Sequence, residues 1–241
     1  MRNENLYRDR VAFAPTLGAT FDAGLRRHML GIYRNMGLAL IVSATVAWIV
    51  AATPAIYQPI FGTPLKWVAI FAPLAFVFFF SSRFEQMSLA SARAALFAFA
   101  ALMGLSLASV LLVFTGASIA TTFLVAAVTF LAMSLWSYTT RADLTRYSTF
   151  LFMGLIGVVL ASVVNLFLQS GTLQLVVSII GVLVFTGLTA WDTQRAKSDY
   201  LAFGASAQTE KLAVMSALSL YLNFVNLFQL LLTFFGQREE V

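Results

Sequence analysis

The sequence predicts an all-α, polytopic membrane protein with seven transmembrane helices in a bundle. Three observations carry this. The chain is 60% hydrophobic and only 10% charged, with a mean hydropathy of +0.87, whereas a soluble domain is about 25% charged. Seven apolar runs are long enough to cross a bilayer. The Lys and Arg residues then fall almost entirely on one side of those crossings.

Each run can be justified in turn. A polar, basic stretch, 1–35, comes first and holds Arg2, Arg8, Arg10, Arg26, Arg27 and Arg34. It contains no short apolar core with a small-residue cleavage site, so no cleavable signal is expected. We read 1–35 as a cytoplasmic N-terminal tail and 36–236 as the transmembrane domain. The first run, 36–57, is a retained anchor. Pro54, Pro59, Gly62 and Pro64 punctuate the link to the second run, 65–82. The third and fourth runs, 94–114 and 118–138, meet at the tight turn "TGAS". The fifth and sixth, 149–169 and 173–193, meet at "QSGT". Clusters of small polar residues with Gly are turn signals. The longest link, about 194–211, is polar and charged and leads to the seventh run, 212–235. Helices suit these lengths because a helix needs about 20 residues to cross about 30 Å of hydrocarbon. Barrel strands would alternate in polarity and be about half as long.

Basic residues set the orientation. With the N-terminus inside, the inside segments hold 13 of the 15 Lys and Arg residues, and only Lys66 and Arg238 lie outside. The positive-inside rule therefore places the N-terminus in the cytoplasm and the C-terminus outside. It also accounts for the net charge of +5 without a nucleic-acid partner. The expected surroundings are a lipid bilayer.

Charged groups within a span are costly, and this chain nearly avoids them. Asp192, in "FTGLTAWDTQR" (185–195), is the acidic residue left at the edge of a span, about one turn before Arg195. Either it is a boundary residue that meets water, or it has a task within the bundle. Thr189 and Thr186 lie three and six positions before it and extend a weakly polar strip along the same run. In the seventh run, Ser216, Ser219, Asn223 and Asn226 occupy an arc of about 80° on one helix face. Amides in hydrocarbon need partners, so the stripe faces other helices as interhelical glue or lines a pathway. Both readings put the seventh helix inside the bundle rather than at its rim. Arg83 is the natural ionic partner for Asp192, at similar depth on the same side. Arg93 and Arg195 compete for that position.

Several enzyme classes fall away, and none is expected. The single histidine, His28, lies in the tail, there is no Cys, and no G-x-S-x-G occurs, which removes the usual activated nucleophiles. An aspartyl dyad needs two carboxylates, and only one acidic residue falls within a span. Haem and zinc would need His or Cys ligands. No resident cofactor is expected.

"FTGLTAWDTQR" (185–195) and "SALSLYLNFVNLF" (216–228) resemble the two signature segments of the Bax inhibitor-1 family, also called the transmembrane Bax inhibitor motif family. "MSLASARAALFAFAALMGLSLASVLLVFTG" (87–116) resembles its third helix as found in bacterial members, and the likeness covers roughly 24–236. The resemblance implies a seven-helix bundle with a central seventh helix, in the bacterial inner membrane. It implies a pH-sensitive calcium leak channel, with Ca²⁺ as the transported ion. The family's sensor is a pair of aspartates on the sixth and seventh helices. The first corresponds to Asp192, the gate and a possible Ca²⁺ contact. The second corresponds to Asn223, a departure. Two close carboxylates share a proton and titrate together, whereas an Asp–Asn pair cannot, because the amide never ionises. Asn223 can still donate a hydrogen bond or offer a carbonyl to Ca²⁺. Asn226, Ser216, Ser219 and Thr189 would line the route. A family arginine that latches the sixth-helix aspartate when closed corresponds to Arg83. Bacterial members are also linked to a membrane-anchored quality-control protease that they modulate. In that alternative the chain conducts nothing, and the 1–35 tail is a contact for the protease.

Overall fold

A computed structural model describes residues 2–238, with side chains from Ala23 onward. The protein is all-α, with eight α-helices among the described residues: α1 (Arg2–Ala52), α2 (Pro54–Phe61), α3 (Leu65–Arg83), α4 (Leu89–Val113), α5 (Gly116–Thr139), α6 (Ser148–Leu168), α7 (Gly171–Phe203) and α8 (Ala207–Phe235). Seven of them are long and apolar enough to cross a membrane, and the short α2 is not among them. The expected spans correspond to α1 and α3 through α8.

The helix boundaries follow local chemistry. Pro54 opens α2. It supplies no amide hydrogen, and its ring clashes with the preceding turn of any continuing helix. The first run, expected to reach residue 57, therefore stops at Ala52. Thr115 and Ser170, in the two predicted turns, accept amide hydrogens from Ser118 and Leu173 and so cap α5 and α7. Ser206 caps α8 in the same way, accepting from the Thr209 amide at 3.2 Å.

The link expected over 194–211 is mostly helical. α7 continues through its polar end to Phe203 and breaks at Gly204, whose φ of +60° suits a residue without a side chain. Apolarity marks where a helix meets lipid, not where the helix stops, so a polar extension beyond the bilayer escapes a hydropathy reading.

α1 also begins well before the apolar run. Leu25, Met29 and Ile32, within the stretch read as tail, are buried in the core. The side chains that would form a partner contact before Ala23 lie outside the described residues.

Packing grades the helices by burial. α8 is the most deeply buried span and packs against α1, α4, α5 and α7. α7 packs against α1, α5, α6 and α8, while α3 leans on α4 and α6 on α7. The outward faces of α3 and α6 carry exposed Phe78, Phe79, Phe150, Leu160 and Phe167. So large an apolar surface is stable against lipid tails rather than water. On the core side, Tyr221, Phe80 and Phe99 are fully buried. The rings of Phe99 and Tyr221 meet edge-on at 5.7 Å.

Candidate functional site

The site lies where α7 meets α8. Asp192 and Asn223 are 8% and 5% exposed, and the Asn223 Nδ2 donates to the Asp192 Oδ2 at 2.7 Å. An ionised carboxylate only accepts hydrogen bonds, so the amide presents its NH₂. Asp192 is enclosed by neighbouring helices, and α7 continues about three turns beyond it through its polar end. Hydrogen bonding is what makes such burial tolerable, because a buried polar group without a partner costs about 1–3 kcal/mol.

The rest of the polar stripe divides. Ser216 is buried, while Ser219 and Asn226 are half-buried. The Asn226 Nδ2 donates to the Leu222 carbonyl one turn back, at 2.8 Å. Thr189 is fully buried, and its hydroxyl donates to the Phe185 carbonyl at 2.8 Å. Asn223 is therefore the stripe residue whose amide reaches another helix at Asp192, while Asn226 and Thr189 direct theirs along their own helices.

Arg83 does not reach Asp192 here. It is exposed, with its guanidinium over the Phe79 ring at 5.9 Å. Neither competing arginine donates a hydrogen bond to Asp192 among the described residues, although the Arg195 charge acts on its carboxylate. Arg195 lies over Trp191 at 5.4 Å, and Arg93 lines a cavity beside the start of α8. Among the described residues, the side-chain hydrogen bond to Asp192 comes from the neutral Asn223.

A second polar seam, missed in the sequence, runs beside this pair. The Thr193 hydroxyl donates to the Thr189 carbonyl at 2.8 Å and meets the Ser134 hydroxyl at 3.0 Å. Ser134 in turn hydrogen-bonds Tyr33 on α1, and Ser137 donates to the Ala190 carbonyl. A third seam joins α1, α4 and α8. Ser43 donates to the Ala100 carbonyl at 2.7 Å and meets the Tyr221 hydroxyl at 2.6 Å. Single hydroxyls in apolar runs were the available signal. Hydroxyl side chains in helices commonly bond their own backbone, so the signal does not say which of them cross to a neighbour.

The polar end of α7 holds down the α5–α6 link. Gln194 accepts from the Leu144 amide at 2.8 Å and donates to the Ala142 carbonyl at 2.7 Å. Lys197 donates to the Tyr138 carbonyl at 2.9 Å. In the same link, the Asp143 carboxylate accepts from the Thr145 amide, which holds its pKa below the ordinary 3.8.

Comparison with known proteins bears on this geometry. The profile of the family described as "Inhibitor of apoptosis-promoting Bax1" matches residues 25–240. The protein RP147 of Rickettsia prowazekii (strain Madrid E) is 44% identical over 221 residues, covering 92% of this chain and 94% of its own. A Caulobacter vibrioides protein is 42% identical over 229 residues, covering 91% of this chain and 92% of its own. The inner membrane protein YbhL of Escherichia coli (strain K12) is 42% identical over 220 residues, with 90% of this chain and 94% of its own covered.

Proposed function

This chain belongs to the Bax inhibitor-1 family of membrane proteins, and on that premise we propose that it lets cations, Ca²⁺ foremost, leak passively across a bacterial inner membrane. The inner-membrane setting is drawn from the likeness to YbhL. The observation that carries the reading is the buried bond between Asp192 and Asn223. It joins the one spanning carboxylate singled out in the sequence to the most buried helix.

The chemistry suits passage rather than storage. Ca²⁺ takes six to eight oxygen ligands. The Asp192 carboxylate supplies one or two, and Asn223 can turn its carbonyl oxygen toward an arriving ion. Among the described residues, no group of three His, Cys, Asp or Glu side chains forms a cluster able to hold a metal. Water must complete the shell, and such an ion is held weakly enough to leave, as conduction requires. With both side chains nine-tenths buried, this arrangement is the shut one. Opening requires α7 and α8 to part and break the 2.7 Å bond.

Ca²⁺ flux into proteoliposomes with an entrapped indicator tests the reading. The wild-type protein is expected to leak above empty vesicles, and Asp192→Ala is expected to change that leak severalfold at matched protein content. A wild-type leak equal to that of empty vesicles, or an Asp192→Ala leak equal to wild type, would overturn it.

A further inference from the structure

Away from the Asp192 pair, a cavity of about 470 Å³ opens between α1, α4 and the start of α8. Its volume lies within the range of about 300–1,000 Å³ usual for small-molecule sites. Three arginines line it: Arg27 and Arg34 on α1, two turns apart on one face, and Arg93 on α4. Among the described residues, none of the three forms an ion pair or a side-chain hydrogen bond. One acidic side chain, Glu210, shares the wall, so the lining keeps a positive excess.

Two further observations point to a ligand. Asn35 is 9% exposed and lines the cavity, yet makes no side-chain hydrogen bond among the described residues. No fully enclosed side-chain nitrogen or oxygen lacks a partner, so the residual exposure of the Asn35 amide faces the cavity. Ala207, the first residue of the 29-residue α8, also lines it. Its amide has no partner within the helix and adds the positive end of the helix dipole. The floor is left open by Gly31, where an added Cβ would meet nothing within 4 Å.

We propose that this cavity binds a phosphate-bearing small molecule, clamped by Arg27, Arg34 and Arg93, with the Asn35 amide and the α8 N-terminus as further donors. Guanidinium groups match phosphate oxygens two at a time, and helix N-termini favour anions. α1 is apolar enough to span from Ala23 to Ala52, about 45 Å of helix for about 30 Å of hydrocarbon. With Ala52 at the far boundary of the hydrocarbon, Arg34 lies about 27 Å back along the helix, close to the near boundary, and Arg27 about 38 Å back, at the headgroup level. Both an anionic lipid headgroup and a soluble phosphate compound can present this chemistry there.

Titration of the purified full-length protein in detergent tests the proposal. One arm uses dioctanoyl phosphatidylglycerol against dioctanoylglycerol, which lacks the phosphate. The other uses inorganic pyrophosphate. Saturable binding is expected in at least one arm, and the arm that binds names the source. The double variant Arg27→Gln/Arg93→Gln is expected to weaken it by about tenfold or more, as the loss of two charge-assisted contacts implies. Gly31→Leu, which fills the floor and leaves every charge in place, should weaken it comparably. Arg26→Gln, one position along and lining a different groove, should stay within about twofold, because it removes only a surface charge. Absence of saturable binding in both arms overturns the proposal. So does equal weakening by Arg26→Gln, or undiminished binding by a Gly31→Leu protein that melts like wild type. If Gly31→Leu does not fold, the arginine variants decide alone.

Discussion

Asn223 is the residue on which the behaviour of the site turns. Its amide donates to Asp192 at 2.7 Å, so Asn223→Asp would set two carboxylates within hydrogen-bond distance in a buried place. They cannot both ionise cheaply, and the pair would hold one shared proton. The sign follows: the shared proton stabilises the bundle at acidic pH, and its forced loss as pH rises costs stability. Asn223→Asp is therefore expected to melt at higher temperature in acid than at neutral pH, relative to wild type. Its Ca²⁺ flux should become pH-dependent, increasing where the proton is lost and the carboxylates repel. Parallel melting and flux series across pH check this. An unchanged profile in the variant would show that the two positions do not form a coupled pair. Both residues were legible in the sequence as polar groups in lipid-length runs. Their contact was not, because residues 31 positions apart on separate helices meet only through the packing of α7 on α8.

At the scale of elements, two contacts govern how the helices are held. α1 and α4 approach closely at Gly104, where an added Cβ would come within 2.6 Å of the Ser43 carbonyl oxygen and 2.8 Å of the Val46 side chain. Backbone cannot yield as a side-chain tip can. Gly104→Val is expected to cost at least about 1–3 kcal/mol and to disturb the Ser43–Tyr221 bond on α8. A lowered melting temperature would register it, and a variant as stable as wild type would count against this close approach. The second contact is the grip of Gln194 on the α5–α6 link. Gln194→Ala should speed hydrogen exchange at residues 142–145 while leaving α5 and α6 protected. The Asp143 turn in that link has its own pH window. Because the Asp143 pKa is lowered, its contribution is complete above the ordinary carboxylate value. It is lost only as pH falls through the lowered one, so exchange in the link should be insensitive to pH-driven loosening near neutrality. The turns at Thr115 and Ser170 were legible because capping depends on neighbours in sequence. The helical extension from Gln194 to Phe203 was not, since polarity alone resembles a loop.

For the whole molecule, seven crossings require the two ends of the chain to face opposite sides. The distribution of Lys and Arg predicts which end faces which side. The chain has no cysteine, so single cysteines introduced at positions 143 and 237 report without background. An impermeant maleimide added to intact cells should label position 237 and spare 143, and inverted vesicles should reverse the pattern. Labelling of both from one side would overturn the seven-span topology. Position 237 is a fair probe because the C-terminal segment is ordered against the α4–α5 turn: the Gln237 carbonyl accepts from the Thr115 amide at 3.0 Å, and its amide donates to Ser118 at 2.9 Å.

The sequence alone determined the solvent, the number of crossings and the family. Hydropathy, run length and the two C-terminal motifs are properties of the chain read along its length. It also marked Asp192 and Asn223, because a polar group in a lipid-length run stands out against its neighbours. The tertiary structure alone decided the partners. It joined Asp192 to Asn223, kept Arg83 on the surface beside Phe79, and gathered Arg27, Arg34 and Arg93 around one cavity. Helical periodicity gives the face on which a residue lies, but not which helix that face meets. In lipid, where apolar surfaces of neighbouring helices are nearly interchangeable, close approaches such as Gly104 on Ser43 and cross-helix hydrogen bonds make that choice.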